Sequence, residues 1–260
     1  MSHVSGTRSA FVTGAAGGIG RAVAVRLAAD GLAVTAVDLP GAQEALDALV
    51  HELGTGALAL SADVADSASV DAAVAAHVEH HGGLDVMVAN AGIAVTAPLV
   101  ETSDEQWRRV MDVNVGGVFH CYRAAARQLL AQGRGGRIIG AASVAAHRAG
   151  KWQSAYSASK FAVRGMSQSL AQELGEHGIT VNVYSPGVVQ TPMWDAIDVD
   201  MAGRRGTAVG SEMQAMVAGI PLGRLEVPTD VAGVVSFLAS PDAVYVTGQS
   251  IVVDGGMWFS

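Results

Sequence analysis

Seven short runs rich in β-branched and other aliphatic residues recur along the chain, at 9–13, 32–37, 57–61, 84–88, 137–139, 179–184 and 250–253. The stretches between them carry apolar residues at helical spacing. Leu46, Leu49, Val50 and Leu53 fall at i, i+3, i+4 and i+7, with Gly54 placed to end the helix. Val70, Val74 and Val78 repeat behind Asp66, a side chain suited to capping a helix start, and Ser103 with Gln106 has the pattern of a capping box. Strands that alternate with helices need crossovers, which lay the strands parallel and cover both faces of the sheet. The pattern therefore predicts an α/β, Rossmann-like doubly wound fold: a seven-stranded, mostly parallel sheet with about six helices on its two faces. No linker, charge block or low-complexity tract interrupts it, so residues 1–260 are expected to form a single domain.

Half of the residues are hydrophobic and 15% are charged, enough apolar surface for a sizeable core and too much for a disordered or collagen-like chain. Twenty-four acidic residues against sixteen basic ones give a net charge of −8 with no basic run, which argues against a nucleic-acid partner. No apolar run approaches the roughly 18 residues of a membrane span. The first ten residues lack the apolar core of a secretory signal. A single cysteine, Cys121, forms no intrachain disulfide and reads as a core thiol. The expectation is a soluble, cytoplasmic protein.

Thr13-Gly14-Ala15-Ala16-Gly17-Gly18-Ile19-Gly20 directly follows the first predicted strand and opens a helix ending near Asp30-Gly31. Glycines there let the backbone turn sharply and approach a pyrophosphate, while the helix N-terminus offers N–H groups and a positive dipole end. The bland alternative is a tight strand–helix turn. Asp38 closes the second strand, 18 residues past Gly20. A carboxylate there accepts both ribose hydroxyls of adenosine and repels a 2′-phosphate. Leu39-Pro40 and Ala15 bring no base to offset it, so NAD(H) is favoured over NADP(H). Asp63-Val64, after the third strand, are placed to meet the adenine edge.

Tyr156 and Lys160 stand four apart on one helical face, in a chain with only two lysines against fourteen arginines and only four tyrosines. An arginine would serve a surface helix equally; a compact ammonium reaching ribose hydroxyls is a lysine's task. Tyrosine ordinarily titrates near 10, too high for ready proton exchange at neutrality, and a neighbouring Lys⁺ is expected to lower it. Ser143 follows the strand at 137–139 by a few residues and precedes Tyr156 by 13, close enough to hold a substrate oxygen beside the phenol. Asn114 interrupts the apolar stripe Trp107, Val110, Met111, Val118. A buried amide must be hydrogen-bonded, either to a neighbouring strand or to a water that relays protons to Lys160.

The glycine loop, Asp38, Asn90-Ala91-Gly92, Asn114, Ser143, Tyr156-x-x-x-Lys160 and Pro186-Gly187, in that order along nearly the whole chain, resemble the short-chain dehydrogenase/reductase family. The resemblance implies an enzyme in which Asn114, Ser143, Tyr156 and Lys160 are the catalytic set. It implies an NAD site lined by Gly14, Gly18, Ile19, Gly20, Asp38, Asp63, Val64, Asn90, Tyr156, Lys160, Pro186, Gly187, Val189, Gln190 and Thr191. It also implies a homotetramer. The family usually has a second asparagine where this chain has Ala89, which bears on a local sheet contact. A narrower similarity, in Tyr156–Gly165, Thr191–Trp194, Thr247–Ser250 and Asp254–Met257, is to the diacetyl/acetoin (butanediol) subgroup, with parts shared by polyol dehydrogenases. The implied chemistry is reversible hydride transfer between nicotinamide and a small ketone or secondary alcohol. A sensor that binds the dinucleotide without catalysis is the rival class.

Residues 194–220 mix Gly203, Gly206 and Gly210 with methionines and acidic residues, and read as a substrate lid or a surface excursion. Val144, His147, Trp152, Gly187, Met193 and Trp194 are the substrate-pocket candidates. His77, His80 and His81 precede Gly82-Gly83 and are read as a solvated helix end, since no H-E-x-x-H pattern or acidic partner completes a metal site. No metal is expected. Met257-Trp258-Phe259 are expected to pack on a neighbouring subunit or on the chain's own sheet.

Overall fold

Strand β1 (Ser9–Thr13) is buried at every residue, the mark of a strand in the middle of a sheet covered on both faces. Its alternate side chains feed two cores. Phe11 packs into one with Val74, Val118, Leu129 and Val163; Ala10 and Val12 pack into the other with Val23, Leu27, Leu49, Val231 and Leu238. The structure is a computed structural model, and it describes residues 6–259. Residues 1–5, half of the segment read above for a secretory signal, and residue 260 lie outside the described residues.

The remaining strands are β2 (Ala33–Asp38), β3 (Leu58–Ser61), β4 (Val86–Ala89), β5 (Gly136–Ala141), β6 (Ile179–Pro186) and β7 (Ser250–Val253). They form one sheet in the order β3-β2-β1-β4-β5-β6-β7, and every pairing is parallel rather than mostly so. The chain winds outward from β1 through β2 to β3, then crosses back to lay β4 on the other side of β1. Connections leaving β1 and β4 diverge, which opens a crevice at their carboxyl ends.

Helices α1 (Gly18–Ala29), α2 (Gln43–Leu53) and α9 (Pro228–Ala239) cover one face; α3 (Ser67–His81), α5 (Gly117–Gln132) and α6 (Ser154–Leu174) cover the other. The caps work as the sequence predicts. Asp66 accepts from the Ala68 N–H at 2.9 Å, Ser103 and Gln106 bond reciprocally at 3.1 and 3.0 Å, and Gly54 ends α2. The expected six helices become nine among the described residues. A π-helical turn at Asp112–Gly116 divides the 104–132 stretch into α4 (Asp104–Met111) and α5, and residues 192–217 fold into α7 (Pro192–Arg205) and α8 (Ser211–Val217). The π turn adds a residue to the helical repeat. Val110, Asn114 and Val118 are buried, while Trp107, expected on the same stripe, is 39% exposed. Among the described residues no helix is long and apolar enough to cross a membrane.

Of the histidine cluster, His80 is exposed at the helix end as expected, and His77 corrects the expectation of a solvated residue. His77 is fully buried, with Nε2 3.1 Å from the Ser9 hydroxyl and Nδ1 2.7 Å from that of Thr35, and its ring stands edge-on to Phe11. Two β-strand hydroxyls satisfy both ring nitrogens, so the imidazole belongs to the core. Burial, with His81 adding, pushes it down to about 3. His77 is therefore neutral in the fold and must gain a proton on unfolding below its ordinary value of 6.5; its stabilisation is complete above 6.5 and is lost as pH falls toward 3. Between pH 7.5 and 5.5 we expect the wild type to lose on the order of 1.4 kcal/mol, roughly 2–4 °C in thermal midpoint, more than His77→Gln loses. Parallel midpoint-versus-pH curves would contradict this assignment.

Candidate active site

Helix α1 starts at the crevice without protection of its own. Its N-cap is Gly17, no side chain caps it, and its first turn holds no acidic residue, so its N–H groups are left for an anion. The glycine loop takes its shape from close approach: a Cβ on Gly20 would lie 2.0 Å from the Gly14 carbonyl oxygen and 2.5 Å from Asn90 Nδ2, and Gly14 itself has φ +66°. The cleft above the loop measures about 780 Å³, the scale of a cofactor site.

Asn90 ties the walls of this cleft together. Its Nδ2 donates to Thr13 O at 2.8 Å and Gly14 O at 3.2 Å, and its Oδ1 accepts from the Tyr184 hydroxyl at 2.7 Å. The Thr13 hydroxyl oxygen accepts from the backbone N–H of both Asn90 and Ala91. Asp38 lines the cleft at the end of β2, its carboxylate set by the N–H groups of Ala16 at 3.0 Å and Leu39 at 2.8 Å. Asp63 accepts from the Ala65 N–H at 2.9 Å beside Val64. Ile19, Gly18, Pro186, Thr191 and Met193 line the same cleft. An uncapped helix start, a glycine cradle and a held carboxylate at the strand end fit a dinucleotide.

At the other end of the cleft Lys160 is 4% exposed and donates to Ala141 O at 2.8 Å, with Nζ 5.5 Å from the centre of the Tyr156 ring. Burial pushes Lys160 down to about 8. Burial raises Tyr156 above its ordinary value, and hydrogen bonding to Ser143 pulls it partly back. The sequence suggested a tyrosine lowered by Lys160; in the folded chain desolvation dominates instead. Ser143 caps a short 3₁₀ turn, its oxygen accepting from the Ala145 N–H at 3.1 Å. Asn114 is fully buried in the π turn. Its Oδ1 accepts from Ile93 N–H at 2.8 Å, and its Nδ2 donates to Ile93 O at 2.9 Å and to the Ser159 hydroxyl at 3.0 Å. Of the two readings of Asn114 the structural bond is present, made to the segment after β4 rather than to a strand. A Cβ on Gly92 would nonetheless meet both Asn114 Oδ1 (3.2 Å) and Lys160 Nζ (3.5 Å), so the two groups flank one glycine.

Several expected residues sit elsewhere. His147 turns away from the cleft, its Nε2 2.8 Å from the Ser250 hydroxyl. Val189 is 2% exposed in the core under α1 and α9, so only its backbone is free to face the cleft. Gly187 is pressed against Asp254, where a Cβ would lie 2.9 Å from that residue's Cβ. Val144 and Trp194 are not among the residues that line the cleft. Trp152, the one non-glycine residue with positive φ (+63°) among those described, is not among the residues that line the cleft; its carbonyl accepts from Ala97 N–H at 2.8 Å, and its ring is flanked by Lys151 and Arg205. Tyr184 was missed by the sequence reading, as were Arg108 and Arg109, which line the cleft from α4. A tyrosine in a buried strand, whose hydroxyl needs a partner, was the available signal for the first; nothing in the sequence marked the arginines.

A family model described as enoyl-(acyl carrier protein) reductase matches residues 14–258. The chain is 44% identical over 257 residues to the L-2,3-butanediol dehydrogenase of Corynebacterium glutamicum, covering 98% of this chain and 100% of that one. It is 41% identical over 256 residues to a diacetyl reductase [(S)-acetoin forming] of Staphylococcus epidermidis, covering 96% and 98%. A crystal structure from Brucella melitensis described as a short-chain dehydrogenase/reductase, glucose/ribitol dehydrogenase, superposes with a TM-score of 0.86 at 33% identity, covering 97% of each chain.

The loop geometry separates two neighbouring glycines. Gly20→Ala is expected to lower the thermal midpoint by an amount corresponding to about 1–3 kcal/mol of overpacking. Gly17→Ala, whose Cβ would meet nothing within 4 Å, should leave the midpoint unchanged. Equal midpoints for the two variants in a thermal melt would refute the packing argument.

Proposed function

The chain belongs to the short-chain dehydrogenase/reductase family and is an oxidoreductase of CH–OH groups, and on that footing we propose that it interconverts diacetyl, acetoin and 2,3-butanediol with NAD(H). The observation that carries the reading is one cleft lined by Tyr156 and Lys160 at one end and Asp38 at the other, with Ser143 hydrogen-bonded to Tyr156. The names of the two relatives, L-2,3-butanediol dehydrogenase and diacetyl reductase, supply the substrate class.

Gly14, Gly18, Ile19 and Gly20 would hold the pyrophosphate on the start of α1, Asp38 the adenosine ribose, and Asp63 and Val64 the adenine. Asn90, Pro186 and Thr191 would bound the nicotinamide half, with the Gly187 and Val189 backbone behind them. A nicotinamide supplies or accepts the hydride when bound. In reduction Tyr156 gives its proton to the developing alkoxide oxygen, and the Ser143 hydroxyl donates a hydrogen bond to the same oxygen. Lys160 anchors the nearby ribose, and Asn114 holds the segment around Ile93 and, through Ser159, the Tyr156–Lys160 turn of α6 in register. Burial keeps Tyr156 protonated at neutral pH, which loads it as the acid for ketone reduction; alcohol oxidation needs the phenolate and therefore higher pH.

Helices α7 and α8 form the lid. Asp198 caps α8 through the N–H groups of Gly210 and Met213, Arg205 pairs with Glu212, and Arg204 reaches Glu101 at 2.8 Å. Met193 at the lid's root and Trp152 beneath Arg205 shape the substrate end. The likeness to a glucose/ribitol dehydrogenase favours a polyol as the second reading. A homotetramer in the cytoplasm is the assembly proposed, covering the apolar side chains of Phe119, Phe237 and Tyr245 that the single chain leaves exposed.

NADH oxidation followed at 340 nm with diacetyl, acetoin, larger ketones and ketoses tests the reading: turnover is expected on the small vicinal carbonyls, and turnover confined to ketoses would replace it with the polyol one. Tyr156→Phe should lose about 10²–10⁴-fold in kcat while still binding NADH. NADPH should serve at least about tenfold less well than NADH, and Asp38→Ser should narrow that gap by weakening the response to NADH, each tenfold being about 1.4 kcal/mol. Reduction should be favoured near neutral pH and oxidation should climb as pH rises; identical pH profiles in the two directions would remove Tyr156 from the proton step.

A further inference from the structure

Glu226 is a carboxyl where few carboxyls are found. It is 6% exposed, and it lies in the loop between α8 and α9, directly behind residues 187–190. Its backbone N–H donates to Val188 O at 3.0 Å and its carbonyl accepts from Gln190 N–H at 2.8 Å. Its Oε2 accepts from Gly187 N–H at 3.0 Å, a hydrogen shared with Val253 O at 2.9 Å. One residue thus grips three of the four residues from 187 to 190, and the segment runs on into Thr191 and Pro192 at the cleft. Gly187 also packs closely on Asp254, where a Cβ would lie 2.9 Å from that residue's Cβ.

The second carboxyl oxygen, Oε1, is buried without a hydrogen-bond partner. The groups that face it offer no free positive charge. Asp230, from the first turn of α9, is held by Arg224 at 2.6 and 2.9 Å and by Val227 N–H. Asp254, after β7, is held by the N–H groups of Gly256 and Trp258. Arg224, the nearby cation, lies in solvent and is committed to Asp230. A charge on Glu226 would be buried, half unsatisfied and close to two carboxylates, a costly arrangement.

We propose that Glu226 is a positioning residue for the nicotinamide side of the cofactor cleft: its neutral carboxyl holds the Gly187–Gln190 segment in place, and its ionisation loosens that wall and weakens dinucleotide binding. The proposal rests on the NAD(H) reading above. Burial, with the neighbouring carboxylates adding, pushes Glu226 up to about 8 against an ordinary 4.5, so the folded chain keeps this proton where the unfolded chain has lost it. The stabilisation is therefore complete below 4.5 and is lost as pH rises through about 8.

Glu226→Gln keeps the shape and stays neutral. NADH affinity, read by fluorescence titration from pH 6.5 to 9.5, should weaken about fivefold or more in the wild type relative to Glu226→Gln, a coupling of ordinary size between a protonation and a binding site. Lys160 titrates in both proteins and cancels in the comparison. Thermal midpoints of the unliganded proteins should coincide near pH 4.5, separate steadily as pH rises and level off above about pH 8, with Glu226→Gln the higher. Glu226→Ala, which loses the acceptor, should raise KM for NADH at every pH with kcat held. Curves for wild type and Glu226→Gln that run parallel in both measurements overturn the proposal, as does a fall in kcat at unchanged KM in Glu226→Ala. Absence of NADH binding in every protein at every pH removes the cofactor reading and the cleft-wall role with it. In that event a midpoint gap that still widens with pH shows that the NAD(H) reading failed and not the protonation of Glu226.

Discussion

The Asn90 side chain, just past β4, bridges to two further strands, donating to the carbonyls of Thr13 and Gly14 at the end of β1 while accepting from Tyr184 on β6. In a parallel sheet the carboxyl ends of the strands carry the site, and they are also where the ladder stops and backbone groups lose their partners. One amide fills that gap for the strand that bears the glycine loop, for β4 and for the strand that leads to Thr191. The network is fully paired, which is what makes a buried polar network rigid rather than a liability. The glycine loop keeps its shape because it is held from behind, so the start of α1 is ready for an anion before any ligand arrives.

A second theme runs through the cleft: burial sets the protonation state more than neighbouring charge does. Tyr156 is raised, Lys160 is brought down to about 8 and Glu226 is brought up to about 8, each mainly by desolvation. All three are moved toward their neutral forms. At neutral pH Tyr156 and Glu226 are therefore uncharged, while Lys160 keeps most of its positive charge. For the proposed reaction this leaves one positive charge near Tyr156, already held by Ala141 O at 2.8 Å and needing no rearrangement as an alkoxide develops.

The elements, and most of the residues that meet in the candidate cleft, were legible in the sequence. Strand and cap positions agree closely: β1 at Ser9–Thr13 and β7 at Ser250–Val253 fall on the expected residues, and Asp66 and Ser103 cap the helices they precede. These features depend on nearest neighbours along the chain, so periodicity and capping chemistry reveal them. Features that depend on partners distant in sequence were misread or missed. His77 looked like a helix-end residue because its partners, Ser9 and Thr35, lie on strands 68 and 42 positions away. His147 has a spacing that suggests a pocket, yet Ser250, 103 residues on, claims it. Tyr184 and Glu226 gave no local sign of what they hold.

By itself, then, the sequence determined the alternation of strands and helices, the glycine cradle, the carboxylate at the end of β2 and the Tyr156–Lys160 pair, because short-range sterics and helical spacing settle those. The tertiary structure decided the direction in which each titratable group moves, the π turn that buries Asn114, and which of the candidate pocket residues face the cleft. Those depend on solvent exclusion and on contacts closed by the sheet, and both exist only once distant segments of the chain have packed together.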